Sequence, residues 1–158
     1  MRLFWLVAVI TFVADQATKY AVVLGLNLRE IGVIEVWPPY LTFRMAWNRG
    51  INFGLFADDA AVMRWVLIVL AVGISIGVII YTRRNLATFG RMALIGAGLL
   101  VGGALGNAID RIVFGAVADF LNMSCCGIAN PYAFNVADIA IFAGVFAIAV
   151  FGGDKQTA

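Results

Sequence analysis

Four long apolar stretches, separated by short polar segments, constrain the fold of this chain more than any other feature. They cover about residues 3–24, 62–82, 92–110 and 134–153, and a helix needs about 20 apolar residues to cross a hydrocarbon core about 30 Å thick. Of the 158 residues, 63% are hydrophobic and 13% are charged, whereas soluble domains are about 25% charged. The sequence therefore predicts an all-α integral membrane protein with four transmembrane helices in a single membrane domain, residues 1–158.

The distribution of basic residues predicts which side of the membrane each segment faces. An even number of spans puts both termini on one side, and short cytoplasmic segments are enriched in Lys and Arg. The segments on the side of the termini carry Arg2, Arg83, Arg84, Arg91 and Lys155. We therefore expect a multi-pass protein with cytoplasmic termini and with outer segments at about 25–61 and 112–133.

The first outer segment has the periodicity of a β-strand. Apolar residues alternate with polar or small ones from Leu41 to Trp47, as in a strand with one apolar face. Pro38-Pro39 separates this run from the β-branched stretch Val33–Trp37. We expect a small antiparallel β-sheet on the outer (periplasmic) surface. The second outer segment, rich in Gly, Ala and Cys, is predicted to be a loop.

The first apolar stretch contains two charges, Asp15 and Lys19. Charged groups at membrane depth are costly and usually paired, and residues four apart lie on one helix face. We therefore expect a structural ion pair, with direct catalysis by either residue as the alternative. No A-x-A-like site follows the first apolar run, so a retained helix is favoured over a cleavable signal peptide.

Small and polar residues mark one end of the third stretch. Glycines recur at four-residue spacing, at Gly98, Gly102 and Gly106, which favours close approach of another helix. Asn107, Asp110 and Arg111 then share one helix face at the predicted outer end. A solvated helix end explains Asp110 and Arg111 but explains Asn107 less well. We expect Asp110 to be a structural member of a polar network.

Asp119 and Asp138 flank the second outer segment and are predicted to reach the same depth near the outer leaflet. Two carboxylates in one low-dielectric site do not both ionise cheaply, so one keeps its proton. Such a pair supplies a general base and a general acid, which is the chemistry of aspartic proteolysis. The alternative is that Asp138 only interacts favourably with a helix N-terminus.

The absence of histidine removes several other classes of site. Without it there are no Ser-His-Asp triads, no Cys-His dyads and no His-based zinc sites. Cys125 and Cys126 are adjacent, which suits neither ordinary disulfide geometry nor a zinc site. We expect no metal, no cofactor and, at a net charge of +2, no nucleic-acid partner.

Five motifs, in their order and spacing, resemble the series of the lipoprotein signal peptidase family, signal peptidase II. They are Asp15–Lys19, Asn48–Phe53, Gly102–Arg111, Val117–Phe120 and Phe134–Asp138. The resemblance implies a bacterial inner-membrane aspartic endopeptidase whose active site faces the periplasmic leaflet. It implies removal of the signal peptide from diacylglyceryl-modified prolipoproteins, with the cut just before the lipidated cysteine.

The resemblance also implies roles for individual residues. Asp119 and Asp138 match the catalytic pair, and Asp15 and Lys19 match a helix-one motif. The positions expected to bind substrate are Asn48, Gly50, Asn107, Arg111 and Asn135. Asn52 departs from the small residue that is commonest at its position. The expected partners are prolipoproteins and membrane lipid, and the chain is expected to act as a monomer.

Two other functions compete with proteolysis on the residues alone. A proton-coupled transporter or channel would use Asp15, Asp110, Asp119 and Asp138 as a relay. A relay needs carboxylates spread through the membrane, whereas three of these are predicted at the outer side. A non-catalytic assembly subunit would instead pair its helices through the glycines of the third stretch.

Overall fold

The computed structural model describes residues 1–50, 60–127 and 130–153. Its main elements are five α-helices and three β-strands in this part of the chain. Helix α1 (Arg2–Lys19) continues as a π-helical segment, Tyr20–Gly25, and a short helix α2 (Leu28–Ile31) follows. The remaining elements are β1 (Val33–Trp37), β2 (Leu41–Asn48), α3 (Ala60–Arg84), α4 (Arg91–Phe114), β3 (Val117–Met123) and α5 (Val136–Phe151).

Three helical segments in the described residues are long and apolar enough to cross a bilayer. They are Arg2–Gly25, Ala61–Arg84 and Arg91–Phe114, each of 24 residues. Large apolar side chains such as Val69 on α3 are exposed, as expected for helices whose solvent is lipid. Helix α5 is apolar but has only 16 residues, fewer than the roughly 20 that a perpendicular span needs. The count of four spans therefore stays a prediction.

Helix α4 contacts α1, α3 and α5, and its glycines set how closely two of them approach. A Cβ atom on Gly102 would lie 2.5 Å from the backbone oxygen of Ala8 in α1. A Cβ on Gly103 would lie 2.6 Å from the backbone oxygen of Ala137 in α5. Real Cβ atoms do not approach backbone so closely, so α4 packs against both neighbours only because these positions carry no side chain.

The sheet has the antiparallel order β1-β2-β3, and its third strand is one that the sequence did not predict. The prediction of a loop over 112–133 is wrong in two places, because α4 extends to Phe114 and β3 covers Val117–Met123. Residues 117–120 are all buried, so the strand lacks the alternation that would identify it. Asp and Asn, which strands usually avoid, further weaken its signal.

The segment before α5 attaches to the free edge of β3. The backbone N–H of Phe134 donates to the oxygen of Leu121 at 2.9 Å, and the N–H of Leu121 donates back at 2.8 Å. Helix α5 then begins at Val136, two residues later than expected, because Asn135 is its N-cap. These bonds bring the start of α5 beside the strand that carries Asp119.

The glycine packing predicts the effect of one added methyl group on α4. Gly102→Ala should lower the thermal stability of the protein in detergent, by about 1–3 kcal/mol in unfolding free energy, because overpacking pushes α1 away. Gly77→Ala on α3 is the matched control, since a Cβ there meets no atom within 4 Å. Equal melting temperatures for the two variants would contradict the close α1–α4 contact.

Candidate active site

A buried lysine lies at the centre of the polar cluster. The ammonium group of Lys19 lies 2.7 Å from Oδ2 of Asp15 and 2.7 Å from Oδ2 of Asp110. All three side chains are buried. The expected pair on helix one is therefore present, but it is part of a triad, because Asp110 of α4 is a second partner of Lys19. This contact gives Asp110 the structural position that the sequence analysis expected.

The two carboxylates of the triad also bind backbone groups of other elements. Oδ1 of Asp15 accepts the N–H of Ala137 in the first turn of α5 at 2.9 Å. Oδ2 of Asp110 accepts the N–H of Ala118 in β3 at 3.2 Å. Gln16, to which the sequence analysis gave no role, donates to both Asp15 and Asp110, at 3.1 and 3.0 Å. The triad thus joins α1, α4, α5 and β3.

Asn107 connects the triad to the start of α5. Its Oδ1 accepts a hydrogen bond from Lys19 at 3.2 Å and another from the amide of Asn135 at 3.2 Å. Its Nδ2 donates to Oδ1 of Asp138 at 2.9 Å. Since an amide oxygen only accepts and an amide nitrogen only donates, these partners fix which way the side chain points.

Asp138 lies in the first turn of α5, where it forms a capping box with Asn135. The N–H of Asp138 donates to Oδ1 of Asn135 at 2.9 Å, and the N–H of Asn135 donates to Oδ2 of Asp138 at 3.2 Å. Such reciprocal bonds satisfy two backbone donors that the helix leaves free. Asp138 therefore lies at a helix N-terminus, and its contact with Asn107 also connects it to the polar cluster.

Asp119 points from β3 toward the same place. Its Oδ1 accepts a hydrogen bond from Nδ2 of Asn135 at 2.7 Å, and its Oδ2 accepts one from Nδ2 of Asn48 at 3.0 Å. Asn135, which is fully buried, therefore touches both candidate aspartates: its amide nitrogen binds Asp119 and its amide oxygen binds the backbone of Asp138. The structure brings the two carboxylates into one site, as the sequence analysis expected.

The surroundings of Asp119 favour its protonated form. Burial, and next the charge of nearby Asp138, raise the pKa of Asp119 to about 6. The hydrogen bonds from Asn48 and Asn135 and the charge of Lys19 act in the opposite direction but are outweighed. A carboxyl group that titrates near neutrality beside a second carboxylate is suited to proton transfer.

The predicted substrate-binding residues differ in their exposure and in the hydrogen bonds that they already form within the protein. Asn48 is exposed, and its Oδ1 accepts the N–H of Gly50 at 3.0 Å. Gly50 has φ of +103°, which L side chains rarely adopt. Arg111 is half-buried and donates from Nη1 to the backbone oxygen of Asn107 at 3.2 Å. Asn107 and Asn135 are buried and already bonded within the protein, so their direct contact with substrate stays a prediction.

Three further expectations concern residues away from this cluster. Asn52 lies outside the described residues, as do the rest of 51–59 and the C-terminal residues 154–158. Cys125 and Cys126 are exposed and form no disulfide. The described residues contain no group of three or more Cys, Asp or Glu side chains placed to hold a metal ion.

Membrane-length helices with a hydrogen-bonded pair of aspartates at one end are the arrangement of an integral membrane enzyme, and solved structures agree. The chain superimposes on one titled "Bacterial membrane enzyme structure by the in meso method at 1.9 A resolution" with a TM-score of 0.79 and 27% identity, covering 95% of this chain and 92% of that one. A second, with the same title but at 2.3 Å, gives 0.77 and 28%, covering 95% and 87%.

Sequence comparisons identify the family. The family described as Signal peptidase (SPase) II matches residues 7–152. The chain is 41% identical to the lipoprotein signal peptidase of Methylobacterium radiotolerans over 90% of this chain and 81% of the relative. It is 40% identical to that of Aeromonas hydrophila over 96% and 88%. The chain belongs to the signal peptidase II family and is a bacterial membrane protease. Membership of this family decides for proteolysis over the two other candidate functions, a transporter or channel and a non-catalytic assembly subunit.

The triad predicts how the protein responds to loss of its buried cation. Lys19→Ala leaves two carboxylates without a counter-charge, and breaking a buried pair in this way costs about 3–5 kcal/mol. The melting temperature in detergent and the amount of folded protein in the membrane should both fall. The double variant Asp15→Asn with Lys19→Gln leaves one unpaired carboxylate and should lose less stability. A Lys19→Ala protein that melts like the wild type would show that the triad does not stabilise the fold.

Proposed function

We propose that Asp119 and Asp138 are the catalytic pair of this protease and that its substrates are diacylglyceryl-modified prolipoproteins, cut just before the lipidated cysteine. The observation that carries the proposal is the shared contact with Asn135. Its side-chain amide donates to the carboxylate of Asp119 on β3, and its backbone N–H donates to the carboxylate of Asp138 on α5. Family membership supports the substrate class, because the similar proteins are lipoprotein signal peptidases.

The two aspartates divide the proton transfers between them. The raised pKa keeps Asp119 protonated up to a pH of about 6, and the protonated form donates its proton to the oxygen of the scissile carbonyl. Asp138 takes a proton from a water molecule as the water oxygen attacks the carbonyl carbon. When the tetrahedral intermediate collapses, Asp138 gives that proton to the leaving nitrogen and the C–N bond breaks. The hydroxyl proton of the intermediate returns to Asp119, which restores the starting state.

The amide side chains keep the pair in position for these steps. Asn107 and Asn135 each bind one carboxylate, and both are themselves held by other polar groups. Groups fixed in advance do not need to reorganise when charge develops, which is a major source of catalytic rate. We assign Asn107 and Asn135 to positioning, and Asn48, Gly50 and Arg111 to contact with the substrate backbone.

The proposed arrangement in the membrane follows from the lipid on the substrate. A diacylglyceryl group keeps the substrate in the bilayer, so the site receives it by lateral diffusion at the end of the bundle that carries the sheet. We assign this end to the periplasmic leaflet of the bacterial inner membrane and both termini to the cytoplasm. In this arrangement α5 is the fourth span and the protein acts as a monomer with membrane lipid around it.

The catalytic pair is tested with two isosteric substitutions. Asp119→Asn and Asp138→Asn should each lower turnover of a purified lipidated prolipoprotein by about 10⁴-fold, because an amide does not take up the proton. The double variant should be no worse than either single one, since the two act as a unit. Asp110→Asn is the matched control and should retain turnover per folded molecule. Near-normal cleavage, read as a gel shift, by Asp119→Asn or Asp138→Asn would contradict the mechanism.

The pKa of Asp119 predicts how activity depends on pH. The mechanism needs protonated Asp119, so kcat/KM should fall as pH rises through about 6, the pKa of that carboxyl group. Asn48→Ala removes a hydrogen bond that lowers the pKa of Asp119, so this falling limb should move to higher pH. The profile is measured from initial rates in detergent. A limb that stays in place in Asn48→Ala would show that Asp119 is not the titrating group.

Catalysis by the pair requires no metal ion. Because the sequence has no histidine and its two cysteines are adjacent, we expect full activity after treatment with EDTA. Activity of the purified enzyme is compared before and after chelation, with the same detergent and substrate. Loss of cleavage that one added metal restores would require a different mechanism.

A further inference from the structure

Two neighbouring cavities open on the side of the sheet that faces away from the aspartate pair. Side chains alternate along a strand, so Ala118 and Asp119 point to opposite faces of β3. Ala118 packs in the apolar cluster under the sheet, whereas Asp119 reaches Asn48 and Asn135. Ala118 also lines the first cavity. The cavities are therefore separate from the proposed catalytic site.

The first cavity is mainly apolar. Its volume is about 290 Å³, close to the lower end of the range of about 300–1,000 Å³ for ligand pockets. Its apolar lining includes Tyr20, Val23 and Leu24 from the π-helical segment. Lys19 and Asp110, already paired with each other, lie at its polar edge. A space of this kind suits part of an acyl chain.

The second cavity is cationic. It has a volume of about 420 Å³, and Arg29, Arg49 and Arg64 line it. None of the eight lining residues is acidic, and in the described part of the chain no carboxylate forms an ion pair with the three guanidinium groups. Nε of Arg64 is buried without a hydrogen-bond partner among those residues. Three guanidinium groups around one space favour an anion, and guanidinium matches phosphate particularly well.

The two cavities share a wall. Arg29, Trp47 and Phe114 line both of them, and the rings of Trp47 and Phe114 are 5.8 Å apart. An apolar space thus lies directly beside a cationic one. That is the arrangement that an amphiphile with an anionic head and an apolar chain requires.

The position along the helices matches the depth of lipid head groups. Arg64 lies in the second turn of α3, and Phe114 is the last residue of α4, so the cationic cavity is at one end of both membrane-length helices. Tryptophan is enriched at this depth, and guanidinium groups at this depth are placed to bind the phosphate of a lipid head group.

We propose that the two cavities together bind one anionic phospholipid. Its phosphate lies among Arg29, Arg49 and Arg64, and part of one acyl chain occupies the apolar cavity beside Trp47 and Phe114. The bound chain covers the Lys19–Asp110 pair from the cavity side. A ligand that binds only the folded protein stabilises it, so the lipid should raise the melting temperature.

The test uses the full-length protein, purified in detergent and depleted of lipid. Phosphatidylglycerol is added in mixed micelles, and native mass spectrometry and thermal unfolding report binding and stabilisation. We expect one retained phosphatidylglycerol, a higher melting temperature, and weaker retention of phosphatidylcholine. Arg29→Gln and Arg64→Gln should each weaken binding about tenfold, the value of one charge-assisted hydrogen bond. Arg29 is exposed, so its variant is expected to fold even where Arg64→Gln does not.

Two controls have matched chemistry. Arg44→Gln removes an exposed arginine of β2 that lines neither cavity, and Arg83→Gln removes one from the opposite end of α3; neither should change lipid retention. Leu24→Trp, which fills the apolar cavity, should weaken retention of phosphatidylglycerol.

Four results would overturn the proposal. The first is equal retention of phosphatidylglycerol and phosphatidylcholine. The second is equal loss of binding in Arg29→Gln and Arg44→Gln. The third is a full stabilising effect from inorganic phosphate alone, which would make the cavity a site for a free anion. Unchanged retention in Leu24→Trp would remove the acyl chain from the apolar cavity and overturn the two-cavity mode.

Discussion

The ammonium group of Lys19, buried between Asp15 and Asp110, is the interaction on which the rest of the site depends. Burying one cation with two carboxylates costs free energy of desolvation. Such a buried group is stable only where further hydrogen bonds offset that cost. Those bonds go to the backbone of α5 at Ala137 and of β3 at Ala118. Because the compensating donors belong to the two elements that carry the aspartate pair, the buried charge also sets where those elements lie.

Amide side chains connect the triad to the candidate catalytic groups through hydrogen bonds. Asn107 accepts from Lys19 and donates to Asp138, and Asn135 donates to Asp119 while it caps α5. Each amide has a fixed donor end and a fixed acceptor end, so a change at one partner affects the orientation at the other. This gives a physical reason for asparagines, rather than charged residues, between the triad and the pair.

The sequence predicts the features that depend on periodicity and spacing. The helical membrane protein, the first two strands and the pairing of Asp15 with Lys19 follow from the apolar stretches, the alternation at 41–47 and the i, i+4 spacing. Strand β3 does not, because Val117–Phe120 are buried on both faces and carry no alternation. The contacts of Asp110 with Lys19 and with Gln16 join residues 91 and 94 positions apart, and spacing within one helix does not predict them. The buried positions of Asn107 and Asn135 likewise depend on how three elements pack.

The most direct test of the account is an infrared titration of the carboxyl groups in the purified enzyme. The central claim is that Asp119 and Asp138 form one coupled pair in which Asp119 holds the proton up to a pH of about 6. The account predicts a protonated carboxyl band that disappears as pH rises through about 6. The band should be absent in Asp119→Asn. In Asp138→Asn, where the neighbouring charge is lost, the pH at which the band disappears should be lower. A band that persists in Asp119→Asn, or one that does not move in Asp138→Asn, would contradict the coupled pair.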